Sequence, residues 1–585
     1  MRVRGPQAPQ REGQRALPPQ HSPGNFRFPG FLPRTAHPIL YSWFIVHHRS
    51  ARSSIFSYAE THYKFNLPWS PLHKPWPEIF LDAPHQLLPG KDLTVWLLVK
   101  DADLYPVRVR SVVLRLWDET GAVDTLSPDL GASGVACAGN LQHVAFPLPR
   151  AVLERFQGVL RVSGRITVEN RRGVSRVLEN HNLPGLATFP LEVRLLGAPL
   201  PYPITWRAGE MHCHSEFSSD PVEFGAPLAL MQQTAEAVGL DFVLCTDHSY
   251  DFNYRRDRYL EETDPVANFA AYRAQAEALN RAHPERPTIV PGEEVSCGNS
   301  RGENVHLLTF GHPDFLPGLG DGGRRGFRNR PTLSIGEVLE RLGDTPSFAA
   351  HPKARIGWLE RMIFRRGTWQ AEDLTHPTPA GPLAVRGLQF WNGNLGADYQ
   401  AGKAFWVDRL LAGQVYLPIG ANDAHGDFNR STGVKFPLVS LKQGRGHVFG
   451  RVRTLVPAPG RDVDTLREAF RPRRGPAVGD DCDRCVCTDG PFADLALEAF
   501  PTDGHQLRVA AYSTADFGAL RSVHLYGAAR GDRTERLLQA WTFEGAQGPF
   551  HLEELLPVPL ARGYVRLEVL THQGRRALTA AVRMG

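Results

Sequence analysis

Trp206-Arg207-Ala208-Gly209-Glu210-Met211-His212-Cys213-His214 is the stretch that decides the reading of this chain. It predicts a β-strand over 206–212 that ends at His212. Alternate residues of a strand share a face, so His212 and His214 project the same way while Cys213 turns aside. Two imidazoles on one face can grip one ion. The loop Ser215-Glu216-Phe217-Ser218-Ser219 that follows is long enough to bring Asp220 back to the strand end.

Working towards the C-terminus, the same arrangement recurs. A helix carrying Leu228, Met231, Ala235 and Val238 on one face, with Pro227 near its first turn, closes at Gly239. The strand Phe242–Cys245 runs into Thr246-Asp247-His248. A helix over about 265–282 precedes the strand Thr288–Val290, which leads to Pro291-Gly292-Glu293-Glu294. Asn304–Phe310 is a further strand and contains His306. Ser334 and Glu337 have capping-box spacing and open a short helix. Ser347–Ala350 ends at His351, Gly387–Trp391 is the sixth strand, a helix runs over about 398–413, and Tyr416–Gly420 leads to Asp423-Ala424-His425. Nine side chains of metal-ligating type thus fall just past successive strands: His212, His214, Asp220, His248, Glu294, His306, His351, Asp423 and His425. Repeated βα units with right-handed crossovers imply a parallel sheet closed as a barrel, with functional groups at the carboxyl ends of its strands.

The flanks read differently. Residues 1–74, rich in Arg, Pro, Gln, Ser and His over most of their length, predict a disordered or loosely attached segment. From 75 to 204 short alternating runs such as Leu93, Val95, Leu97 and Val99 predict a β-sandwich, and alternation returns from 492 to 585. The expected architecture is therefore α/β: a metal-binding barrel over 205–491 between N- and C-terminal β-sandwiches.

Composition narrows the function. The 585 residues carry a net charge of +5 from 66 basic and 61 acidic side chains, too even a balance to argue for nucleic acid. No run of 18 apolar residues exists, so no helix is expected to span a membrane. Seven Cys is an odd number and too few for a disulfide framework, which makes a reducing cytoplasm the default location. Cys482-Asp483-Arg484-Cys485 has no fourth Cys or His near it and reads as a turn feeding the strand Val486-Cys487-Thr488. The Gly/Arg-rich loop 317–330 lacks a phosphate-loop spacing and reads as a mobile flap over the pocket.

His212-x-His214, Thr246-Asp247-His248, Gly292-x-Glu294, His306, Ala350-His351-Pro352 and Asp423-x-His425, in this order, resemble the polymerase and histidinol phosphatase (PHP) superfamily. The resemblance covers about 205–490 and implies a distorted seven-stranded (βα) barrel. It implies a first ion held by His212, His214, Glu294 and Asp423, a second by Glu294, His306 and His351, and a third by Asp220, His248 and His425. Asp220 stands where some relatives carry His. Mixed imidazole and carboxylate donors suit two or three Zn, Mn or Fe ions rather than Ca. Such ions lower the pKa of bound water and clamp transition-state oxygens. The expected activity is hydrolysis of a small-molecule phosphoester by a metal-bridging hydroxide, with Glu294, Asp423 and His425 at its centre. Arg301, Lys353, Arg355 and Arg430 are candidates to hold the anionic substrate. The flanking sandwiches look like the branch that includes carbamate and aryl-ester hydrolases, so hydrolysis of a carboxylic or carbamic ester on the same ions is the alternative. A non-catalytic binding protein that uses its sandwiches is the third reading. Asp247 is expected to support His248 as a hydrogen-bond acceptor.

Overall fold

The strand Val159–Asn170 shows how the N-terminal part is built: Leu160, Val162, Gly164, Ile166 and Val168 are buried and the residues between them lie nearer solvent. It pairs antiparallel with Val107–Trp117 and Leu191–Leu195 inside a seven-stranded sheet. Facing it is a three-stranded sheet of Glu78–Asp82, Thr94–Lys100 and Leu141–Pro147. Ile79, Val95 and Leu97 from one sheet and Leu114, Leu160 and Val162 from the other share one apolar cluster. Each such side chain contributes roughly 1.5–3 kcal/mol through removal from water. The computed structural model describes residues 76–585 apart from 183–187, 219–224, 256–257, 323–328, 427, 430–432, 436–439, 443–446, 472–483, 501–503 and 546–547. Residues 1–74, and with them the expected loose segment, lie outside the described residues.

The central strands Trp206–His214, Phe242–His248 and Thr288–Gly298 run parallel. Their crossovers are the helices Leu228–Val238 and Pro265–Ala282. Gly239 ends the first helix at φ 81°, and the Asp264 side chain caps the second by accepting from the Val266 and Ala267 amides.

The expected closed (βα) barrel is not what forms. Thr288–Gly298 turns through residues 299–303 directly into Asn304–Phe310, which pairs antiparallel with it and antiparallel again with Ser347–Ala350. No helix separates that first pair, so the βα repeat breaks there. The edge of Trp206–His214 away from Phe242–His248 is taken by the antiparallel strand Arg453–Pro457. That strand leads through Val486–Thr488 and Arg576–Thr579 into the C-terminal strands. The result is one fifteen-stranded mixed sheet, and strand far outweighs helix in the described residues. The C-terminal strands accordingly continue the central sheet across residue 492. A second, three-stranded sheet of Phe492–Phe500, Gly504–Tyr512 and His551–Pro557 covers them, with Leu495, Leu507, Val509, Val523 and Leu567 in the shared core. No helix among the described residues is long and apolar enough to cross a membrane.

Three hydrogen bonds tie the N-terminal part to the strand ends. The Asp82 carboxylate accepts from the Phe428 amide at 3.0 Å, and the Asn429 side chain donates to the carbonyls of Pro84 and Glu192. The N-terminal sheets thereby fix the segment just after His425.

Candidate metal centre

His212 and His214 close the first central strand with both Nε2 atoms on one side, 3.3 Å apart. Asp423 Oδ1 lies 3.1 and 3.2 Å from them, and Glu294 Oε2 3.1 and 3.3 Å. Asp423 reaches this point through a left-handed backbone, φ 53°, with its amide donating to the His212 carbonyl at 2.8 Å. His351 is left-handed too, φ 28°. Such conformations cost of order 1–3 kcal/mol in non-glycine residues and persist where surrounding structure imposes them. Residues Ala424–His425 add to the Trp206–His214 edge, which puts the His425 ring flat on that of His214 at 3.9 Å.

Glu294 is the hub. Its Oε1 is 2.5 Å from His306 Nδ1 and 3.3 Å from His351 Nε2, and its Oε2 is 3.0 Å from His248 Nδ1. Three groups of donors lie close enough to share an ion: His212, His214, Glu294 and Asp423; His248, Glu294 and His306; and His214, His248 and His425. All of these residues are buried, and they could hold metal ions.

The outward-facing ring nitrogens show what the inward ones are for. His212 Nδ1 meets the Gln389 amide oxygen at 3.0 Å, which also accepts from the His351 amide. An acceptor there places the proton on Nδ1 and leaves Nε2 with a lone pair. His306 Nε2 meets Asp321 at 2.9 Å, so its Nδ1 is the inward lone pair. His214 Nδ1 meets the Ser218 hydroxyl at 3.2 Å. Gln389 also donates to Asn392 Oδ1, and Asn392 donates to Asp423 Oδ2.

His214 Nε2 meets His212 Nε2 and Asp423 Oδ1, and His351 Nε2 meets Glu294 Oε1, but other inward atoms form no well-directed hydrogen bond. Glu294 Oε2, His248 Nδ1 and His306 Nδ1 are buried, with the two imidazole nitrogens 3.0 and 2.5 Å from the Glu294 carboxylate, yet lack hydrogen-bond geometry. Lone pairs converging on common points, rather than on each other, are what coordination to a cation requires. The donor set therefore fits divalent metal ions.

Without a cation the cluster is a charge-paired network. Burial works to raise the Glu294 and Asp423 carboxyls, but the imidazoles around them outweigh it and hold both well below the ordinary range. Burial depresses His306, and the carboxylates of Glu294 and Asp321 overcome this and raise it to about 9. His248, lowered mainly by burial, falls to about 4, and His425 is lowered strongly by burial and by neighbouring His214.

The remaining expected residues are not gathered here. Asp220 and Arg430 lie outside the described residues. Arg301 is exposed on the turn after Gly298. Lys353 donates to the Trp369 carbonyl and lies 4.1 Å from the centre of the Phe405 ring. Arg355 pairs with Asp398 at 2.8 Å and, with Arg366, lines a small cleft beside His306 and His351. Asp247 does not bond to His248 as expected. Its carboxylate accepts from the Ser215 amide and hydroxyl and from the Ser218 amide, which ties down the loop after His214. The described part of the 317–330 loop is no mobile flap: Asp321 is 3% exposed, and Leu319 bridges to Ser296. Cys482 lies outside the described residues, while Cys485 and Cys487 are buried free thiols.

Asp321, Gln389 and Glu210 are missing from the sequence reading. Glu210 is buried and accepts from the amides of Met211, His212, Asn422 and Gly450 and from the Asn422 side chain. Burial lifts it to about 7 against those five donors. Its place two residues before His212 in the same strand was the available signal. Gln389 and Asp321 gave none, because their role depends on which imidazole they meet.

No protein-family model and no curated protein matches the chain. Solved structures align only loosely. A calcium-binding mutant of Bacteroides uniformis β-glucuronidase 2 is 11% identical over 87% of this chain and 60% of its own, with a TM-score of 0.15. A glycosyl hydrolase family 2 member from Bacteroides cellulosilyticus is 9% identical over 86% of this chain and 63% of its own, TM-score 0.13. PhoD is 10% identical over 80% of this chain and 93% of its own, TM-score 0.19. This chain thus spans less than two thirds of the first two structures, and likeness at these scores carries no functional weight.

Proposed function

We propose that the protein is a metal-dependent hydrolase of phosphoester type. The observation that supports this best is the sharing of the Glu294 carboxylate, a group able to bridge two ions, between two buried donor groups. Such sharing holds ions close together. Close divalent ions supply Lewis-acid activation of water and neutralisation of developing oxyanion charge.

The described residues then have separable tasks. Glu294 and Asp423 stay ionised and would hold the cations. Two carboxylates would leave two divalent ions with excess positive charge, which would favour a dianionic ester over a neutral one. His425, stacked on His214, would serve with His214 and His248 as an imidazole donor to an ion. Water is the nucleophile because the nearby alternatives are occupied or inert. The Ser215 and Ser218 hydroxyls bond Asp247 and His214, and burial first, with neighbouring Cys245, keeps the Cys213 thiol protonated. The motif order that resembles the PHP superfamily supports the same chemistry; the barrel expected with it forms no part of the proposal.

The test compares p-nitrophenyl phosphate with p-nitrophenyl acetate, using protein stripped by chelation and reloaded with Mn or Zn. Phosphate release should disappear on stripping and return on reloading. Asp423→Ala should lower it by a factor on the order of 100 or more, equivalent to losing about 2.7 kcal/mol of transition-state stabilisation. Activity on the acetate alone would move the assignment to carboxylic or carbamic esters, and activity on neither would remove the hydrolase reading.

A further inference from the structure

We propose that Asp321 is a positioning residue that builds the ion site at His248, Glu294 and His306, a role that rests on the metal-centre reading above. Its carboxylate meets His306 Nε2 at 2.9 Å and also accepts from the Ser296 hydroxyl and from Arg366 Nε at 3.1 Å. Three donors converge on a side chain that is 3% exposed. With Nε2–H committed to Asp321, the only lone pair that imidazole can offer is on Nδ1, which faces Glu294 and His248. Asp321 belongs to none of the donor groups and acts through His306. The outer partners of His212 and His214, Gln389 and Ser218, are uncharged. A carboxylate makes its imidazole the better electron donor, so the His306 site depends on its outer partner more than its neighbour does.

The glycines beside Asp321 explain how a loop residue reaches so deep. A Cβ on Gly318 would lie 2.5 Å from Val295 Cγ1 and 2.9 Å from the Ser296 amide nitrogen. On Gly320 it would lie 2.1 Å from Asn304 Oδ1. Asn304 cannot swing away, because its Nδ2 donates to the carbonyls of Asn329 and Phe364 and the residue is 1% exposed. Gly320 therefore lets the backbone pass close over the Asn304–Phe310 strand and drop Asp321 onto its histidine.

The experiment titrates Co2+ into chelator-stripped, full-length protein, reading equivalents and affinities by calorimetry and ligand-field absorption together. Wild type should bind at least two equivalents. Asp321→Ala should weaken one of them by about 10–100-fold and erase its absorption component, leaving the His212–His214–Asp423 component in place. Asp321→Asn, which keeps an acceptor oxygen but not the charge, should fall between. Gly320→Ala should reproduce the selective loss without touching the carboxylate. Melting temperatures within a few degrees of wild type for Asp321→Asn guard against general unfolding. Wild type with two ions and Asp321→Asn and Asp321→Ala with the same two affinities would overturn the role of Asp321 alone. Wild type that takes up no Co2+ would overturn the metal centre and this role with it.

Discussion

At the scale of single residues, Glu294 carries more than any other side chain. Five imidazoles approach its two oxygens within 3.3 Å, and burial leaves no water to replace it. Glu294→Gln would leave His212, His214 and His306, whose imidazoles Glu294 helps to raise, facing a neutral amide in the metal-free protein. Removing one partner of a buried ion pair costs about 3–5 kcal/mol. The expected outcome is a lower unfolding midpoint for the stripped variant and a nearly flat response to added Zn, both measurable by thermal denaturation with and without metal. A stripped variant as stable as wild type would mean that the imidazoles are neutral and the charge pairing described above is wrong. Glu293, one position earlier, points to the other side, where it accepts from the Ser249 hydroxyl and the Leu316 amide. The alternation of a strand therefore separates two adjacent glutamates into one at the ions and one bracing a loop.

At the scale of elements, Gly292 shows why the Gly-x-Glu spacing matters. A Cβ there would stand 2.4 Å from the Thr309 carbonyl oxygen and 2.9 Å from Leu244 Cδ1. The first of these is backbone and cannot rotate away. Gly292→Ala should destabilise the protein by about 1–3 kcal/mol through overpacking and push Thr288–Gly298 away from its neighbour. Urea denaturation would register the loss, and reduced Co2+ affinity would report the shift of Glu294. An unchanged urea midpoint would show that the ladder has slack at this point. The strands and helices around this site were legible because period-two and period-3.6 patterns are local properties of the chain. His212 with His214, and Asp423 with His425, follow from the same locality. The barrel was misread because closure is not local. Asn299 and Gly302 make a hairpin where a parallel barrel requires a crossover, and Arg453–Pro457 takes an edge for which no nearby residue signals a partner. Asp321 and Gln389 were invisible for a related reason, since each is defined by a ring nitrogen distant in sequence.

At the scale of the whole molecule, the C-terminal strands brace the centre through a buried charge cluster. Arg566, 2% exposed, pairs with Glu535 and Glu568, and Glu568 also pairs with Lys403 on the helix Ala397–Leu411. That helix packs on Gly387–Asn392, where Gly402 sits so close that a Cβ would lie 2.6 Å from Phe390 Cβ. The same strand carries Gln389 and Asn392, so the cluster lies two packing steps from the ions. Burial raises the Glu568 carboxyl, but Arg566 and Lys403 outweigh it and leave the pKa below the ordinary value. A carboxyl lowered in the folded state stabilises the protein above its unfolded pKa and loses that contribution as pH falls through the folded one. Acidification below about pH 4.5, the ordinary glutamate value, should therefore loosen the contact between Gly563–Thr571 and the helix before the rest of the sheet opens. Hydrogen exchange read across a pH series would show amides of 563–571 and 397–411 losing protection together. Glu568→Gln removes the titrating group and strands Lys403, so it should show the faster exchange already at neutral pH, at a stability cost of about 1–3 kcal/mol. Identical exchange in wild type and variant at pH 7 would show that Glu535 alone holds Arg566 and that the helix is anchored by its apolar face.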